Sequence, residues 1–203
     1  MWFGPAVKLA GRNDAASARR KDASHPCAIL NLALHHVRSK KDKTVPTAPN
    51  PEFLRRAILL ATRNVTTGAG GPFGAVVVRN GLIVGEGANS VTTTNDPTAH
   101  AEVNAIRAAT QAMGTFTLAG CELYTSCEPC PMCLAAAYWA RLNAIYYGAS
   151  AADAARAGFD DAFLYAEFQK DAANRKIHVT QMLGNEAQAS FVAWIASPDK
   201  IAY

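Results

Sequence analysis

The sequence predicts an α/β fold, a three-layer α/β/α sandwich around a mixed sheet, on three observations. A helical repeat of apolar residues begins at Pro51, an Asn80-Gly81 pair joins two β-rich runs, and a strand-helix-strand pattern occupies residues 121–148. Phe53, Leu54, Ala57, Ile58, Leu60, Ala61 and Val65 recur at helical spacing, with Pro51 at the start and Gly68 past the end, which predicts a first amphipathic helix. Residues 73–79 (FGAVVVR) and 82–86 read as strands, and Asn-Gly between them is the strongest short signal for an antiparallel hairpin. A polar loop containing Asn89, Thr92, Thr93, Thr94, Asn95 and Asp96 ends at Pro97, after which helical spacing resumes over residues 98–113.

The strand CELYTS, a helix opening at Pro131 and the strand NAIYYG form a unit that crosses over right-handed if its strands are parallel, so the sheet is expected to be mixed. Beyond Gly148 the pattern predicts helices over residues 151–157, 161–170 and 186–196, interrupted at Gly158, and a frayed tail at 197–203. No internal repeat is visible.

Half of the 203 residues are hydrophobic, enough for one good core and too few for two ordinary domains with linkers. Residues 51–203 are therefore the expected domain. Residues 1–50 are expected to be a disordered or weakly helical extension, with a short apolar segment CAILNLALHHV followed by a linker SKKDKTVPTAPNP. That extension lacks the layout of a signal peptide, and Asp14 and Asp22 argue against an organelle-targeting segment. His25, His35, His36 and Cys27 have no recognised ligand spacing, so no second metal site is expected there.

Charge is divided unequally. The first 48 residues hold nine Lys/Arg and three Asp, net +6, and the remainder holds eleven basic and thirteen acidic residues, net −2. Such a body lacks the basic footprint that a phosphate backbone requires, so no nucleic-acid partner is expected. Five cysteines, three of them clustered, fit metal chemistry in a reduced compartment better than a disulfide framework. No apolar run approaches the ~18 residues of a membrane span, and a cytoplasmic protein without a membrane partner is expected.

The chemistry is concentrated in PTAHAEVNAIR and YTSCEPCPMC. One imidazole, His100, and two thiolates, Cys130 and Cys133, make a tetrahedral zinc site with the fourth position left for water, whose pKa the metal lowers to about 7. Glu102, two residues beyond His100, is then free to carry protons rather than bind the metal. Cys127 also stands three residues from Cys130, but Pro131 marks a helix start, which favours thiolates at Cys130 and Cys133 and leaves Cys127 a buried thiol beside them. An iron-sulfur reading wants a fourth cysteine at position 137, which is Ala. The spacing His-x-Glu with Pro-Cys-x-x-Cys resembles the signature of zinc deaminases.

Residues 51–203, about three quarters of the chain, resemble bacterial guanine deaminases of the cytidine-deaminase superfamily. The marks are GGPFGAVVV, NSVTTTNDPTAHAE, YTSCEPCPMCLAAAYWAR, AGFDDAFLY and the closing Tyr203. The resemblance implies a cytidine-deaminase-like fold, one Zn²⁺ per subunit, and hydrolysis of guanine at C2 to xanthine and ammonia. It implies that Asn89 hydrogen-bonds the purine, that Phe73 stacks on it, and that Asp161 and Tyr203 close over the base; Ala101 and Trp139 are further candidates for the substrate pocket. It also implies a homodimer with exchanged C-terminal segments. A second acid is useful to protonate the departing amine; Asp161 is the first candidate and Glu167 the second. Each of these residues has a plainer alternative. Asp161 and Glu167 could cap or solvate a helix, Asn89 could be a turn residue, and Phe73 and Trp139 could be core aromatics. Rival readings of the whole are a deaminase of another free base or an aminotriazine, a transfer-RNA adenosine deaminase, and a zinc module without turnover.

Overall fold

The computed structural model describes residues 48–159 and 161–202. The expected N-terminal extension, apart from residues 48–50, lies outside the described residues, as do Asp160 and Tyr203. The described residues all belong to one compact unit.

Helix α1, Pro51–Thr66, is started by Asn50, whose side chain accepts a hydrogen bond from the Glu52 amide at 3.0 Å, with Pro51 in the first turn. It leads through a Gly-rich turn to β1, Gly74–Arg79, and β2, Leu82–Ala88. The hairpin between them has φ of 51° at Asn80 and 74° at Gly81, the left-handed pair that matches strand twist. A register shift between Val77 and Val78 bulges the ladder. The short helix α2, Val91–Thr94, and helix α3, Ala101–Met113, come next, then β3, Cys121–Cys127, α4, Pro131–Trp139, and β4, Ala144–Ala149.

The strand order is β2-β1-β3-β4; β1 is antiparallel to both neighbours and β3 is parallel to β4. The sheet is mixed, with helices on both faces, as the sequence predicts. On one face α1 covers Val76, Val78 and Tyr124, with Phe53 edge-on to Tyr124 at 5.3 Å. On the other, Ala101, Ala105 and Ala109 of α3 pack against Ala75, Val77, Cys121 and Leu123. Burial of each larger apolar side chain in these layers contributes roughly 1.5–3 kcal/mol.

Glycine sets how closely the layers approach. A Cβ at Gly87 would stand 2.3 Å from the Ala101 carbonyl, and one at Gly74 would stand 2.3 Å from the Ala57 carbonyl. The backbones of α3 and α1 therefore rest directly on strands that carry no side chain there.

Beyond the sheet lie α5, Ala151–Arg156, α6, Ala162–Gln169, a 3₁₀ turn at Ala172–Asn174, and α7, Gly184–Ala196. Helix α5 opens on a capping box between Ser150 and Asp153. The predicted helix over 98–113 is shorter at its start. Asp96 Oδ1 accepts from both the amide and the hydroxyl of Thr98, which fixes a turn, and His100 takes extended angles as the cap of α3.

Candidate metal and active site

His100 is the N-cap of α3 and Cys130 the N-cap of α4, with Cys133 one turn into α4. Two helix N-termini thus converge beyond the ends of β1 and β3, where their dipoles favour negative charge. The His100 Nδ1 atom lies 3.6 Å from Cys130 Sγ and 3.5 Å from Cys133 Sγ. All three ligand atoms lie within 4.8 Å of one another. In a tetrahedral site, a sulfur at about 2.3 Å and a nitrogen at about 2.05 Å from zinc stand roughly 3.6 Å apart. The spacing of this trio, and its soft donor set, fit that ion.

Closeness to the Cys133 sulfur and to the His100 ring holds Cys130 down to about 4, and the same pairing with burial pushes Cys133 up. The resulting thiolate raises the His100 pKa through its hydrogen bond to the ring. Glu102, in the first turn of α3, is buried, and that burial raises its carboxyl above the ordinary range. Its Oε1 accepts from the Thr125 hydroxyl at 3.2 Å and its Oε2 from the Cys133 thiol at 3.4 Å.

A cavity of about 340 Å³ opens from this cluster. His100, Glu102, Cys127 and Cys130 line it together with Phe73, Asn89, Phe159 and Asp161. Phe73 and Phe159 meet edge-to-face at 4.9 Å and 84°. Asp161 stands at the N-cap position of α6, yet its side chain makes no capping hydrogen bond there. Asn89 is buried, and its side-chain oxygen accepts from Val91 N at 3.4 Å.

The side chains of three of the expected site residues do not line the cavity. Trp139 closes α4, about 13 Å along the axis from its cap; it is 64% exposed, lies under the Arg141 guanidinium, and neither lines the cavity nor joins the core. Ala101 is fully buried in the apolar cluster, because the first position of α3 turns its methyl toward the sheet. Glu167 lies on α6 in an ion pair with Lys170, accepts from Lys176 N at 2.6 Å, and is absent from the cavity wall of its own chain. Tyr203 lies outside the described residues. Cys127 is not one of the trio, as expected, but it lines the cavity as well as being buried.

Residues that the sequence does not single out also shape the site. Phe159 forms part of the wall, Thr125 bonds Glu102, and Asn64 of α1 donates to the Gly71 and Asn89 carbonyls. Strand alternation could have placed Thr125 on the face of Cys127; nothing in the helical pattern marks Asn64.

The profile for the cytidine and deoxycytidylate deaminase zinc-binding region matches residues 48–149, which include the trio and Glu102. The chain belongs to this deaminase family. Guanine deaminase of Bacillus subtilis is 54% identical over 151 residues, 74% of this chain and 97% of that protein. The X-ray structure of guanine deaminase from Bacillus subtilis superposes with a TM-score of 0.74 at 52% identity, covering 77% of this chain and 99% of that one. The guanine deaminase from Nitrosomonas europaea has a TM-score of 0.53 at 28% identity, covering 72% and 84%. Among the described residues, no helix of this deaminase-family chain is long and apolar enough to cross a membrane.

Proposed function

We propose that this chain hydrolyses guanine to xanthine and ammonia, with one zinc ion per subunit. The observation that carries the reading is Glu102, a buried carboxylate beside the His100-Cys130-Cys133 trio at the floor of a cavity of about 340 Å³. That volume lies at the small end of ligand sites, about 300–1,000 Å³, and suits a free base. The likeness to guanine deaminases over nearly their whole length selects guanine among free bases.

Zinc held by His100, Cys130 and Cys133 supplies a Lewis acid that makes water nucleophilic at neutral pH. In the reaction a C2–O bond forms, the C2–N bond breaks, and the amino group departs as ammonia. Glu102, buried beside the trio with its carboxyl raised by that burial, takes a proton from the water and returns it to the ring. Phe73 and Phe159 offer the base an aromatic wall, and Asn89 offers an amide for its edge. Asp161 faces the same cavity and is the better placed of the two candidates for the leaving-group acid.

The C-terminal helices support an exchanged homodimer. Neither α6 nor α7 buries a residue in the single chain, and Phe191, Val192, Trp194 and Ile195 of α7 are all exposed. Apolar surface of that extent marks an interface. A second copy, whose Tyr203 would complete the first copy's site, is the occupant we assign. The acidic balance of the body disfavours nucleic acid, and a cysteine cluster free of disulfides among the described residues suits a reducing compartment such as the cytoplasm.

The test is ammonia release from guanine, adenine, cytosine and an aminotriazine by the zinc-loaded protein and by Glu102→Gln. Guanine should be preferred, and Glu102→Gln should lose about 10²–10⁴-fold in kcat with its zinc retained. Preference for another ring, or unchanged turnover in Glu102→Gln, overturns the reading.

A further inference from the structure

Thr125 is the one polar side chain on the inner run of β3, between Leu123 and Cys127, and it is fully buried. Its partners across the two ladders are Ala75 and Tyr147, and Ala75 and Leu123 both belong to the apolar cluster beneath α3. Valine, of the same shape, would suit such a position for packing. A hydroxyl desolvated there requires a partner, and the bond it makes is to Glu102 Oε1, at 3.2 Å.

The two oxygens of Glu102 are held differently. Oε2 accepts from the Cys133 thiol at 3.4 Å. The Thr125 hydroxyl is a neutral donor fixed by its strand, so Oε1 has an anchor independent of the metal ligands, and Glu102 also lines the cavity.

We propose that Thr125 is a positioning residue for proton transfer: its buried hydroxyl holds Oε1 of Glu102 so that Oε2 carries the proton. This rests on the reading of Glu102 as proton carrier given above. A carboxylate free to rotate would still admit substrate but would less often present its working oxygen, so the effect falls on kcat rather than on KM.

The experiment compares Thr125→Val, Thr125→Ser, Thr125→Ala and Glu102→Gln in the zinc-loaded protein, measuring kcat and KM for guanine, bound zinc and melting temperature. Thr125→Val should lower kcat about 10- to 100-fold, the range for a hydrogen bond to a charged group, with KM within about twofold and one zinc per chain. Thr125→Ser should recover most of the loss. Wild-type kcat in Thr125→Val, a rise in KM with kcat unchanged, or equal losses in the Val and Ser variants overturn the proposal. Should Thr125→Val fold poorly, the Ser and Ala variants, which share the missing methyl, still decide. A Ser/Ala ratio in kcat of about ten supports the proposal and a ratio near one overturns it. Unchanged turnover in Glu102→Gln sinks the underlying proton-carrier reading, whereas a normal loss there beside a wild-type Thr125→Val sinks only this inference.

Discussion

The side-chain amide of Asn64, on α1, donates to the backbone carbonyl of Asn89 at 2.7 Å and to that of Gly71 at 2.8 Å. Both carbonyls belong to residues that line the cavity, one just before β1 and one just after β2. Gly70 lies so close that a Cβ on it would stand 2.2 Å from the same Asn89 carbonyl. One buried amide therefore ties the first helix to two walls of the site.

Asn64→Ala is expected to raise KM for guanine about tenfold while kcat stays within about threefold, because it loosens the walls and leaves Glu102 alone. The same change should lower stability by about 2 kcal/mol through loss of two hydrogen bonds, the Gly71 carbonyl keeping only the Phe73 amide. Steady-state kinetics with a parallel denaturant titration checks both. Loss confined to kcat would contradict the assignment of these walls to substrate binding.

Gly87→Ala places a methyl 2.3 Å from the Ala101 carbonyl and 2.5 Å from the Ala105 amide, in the turn of α3 that carries Glu102 and follows His100. It should cost about 1–3 kcal/mol and weaken zinc retention, because α3 must lift at its ligand end. Gly85→Ala meets Ala109 and Ala105 further along the helix and should cost similar stability with less effect on zinc. Competition with a chromophoric chelator separates the two. Equal zinc retention in both variants would refute the expectation.

Removal of the metal should expose one unusually reactive thiol. Cys130 is held down to about 4, whereas burial pushes Cys127 up. A group with a lowered pKa is already ionised above that value, so alkylation of Cys130 in chelator-treated protein should be nearly flat from about pH 5.5 to 8. An ordinary thiol would react about tenfold faster per pH unit over that range. Peptide mapping after brief iodoacetamide treatment should find Cys130 labelled first, and zinc should protect it. A rate that climbs with pH would contradict the thiolate assignment.

The exposed faces of α6 and α7 predict a dimer by light scattering. Deletion of residues 197–203 should lower guanine turnover with zinc retained, because it removes the residue proposed to close the partner's site. Deletion of residues 1–47 should leave turnover intact. Full activity in the first truncation, or a large loss in the second, would reverse those assignments.

Much of this arrangement is legible in the sequence where local chemistry dictates geometry. Asn80-Gly81 announces a hairpin because both positions need positive φ, and Pro131 after Cys130 announces a helix cap. His100, Glu102, Cys130 and Cys133 are legible because a metal limits the permitted spacings. Tertiary placement is not legible in that way. Trp139 sits inside a motif, but the length of α4 carries it away from the cavity. Asn64 and Thr125 read as ordinary helix and strand residues, since their roles depend on which loop or side chain packs opposite. Thr98 reads as helical because a helical period cannot reveal that Asp96 captures its amide.

His100 and Cys130 are 30 residues apart in the chain and 3.6 Å apart at the site. An ion held between them closes a loop that contains the whole of α3 and β3. The β1-β2 hairpin and its seat under α1 lie outside that loop. A cation at the site would clip the two ends of that 30-residue loop together, a cross-link that stabilises the fold by restricting the chain when it is unfolded.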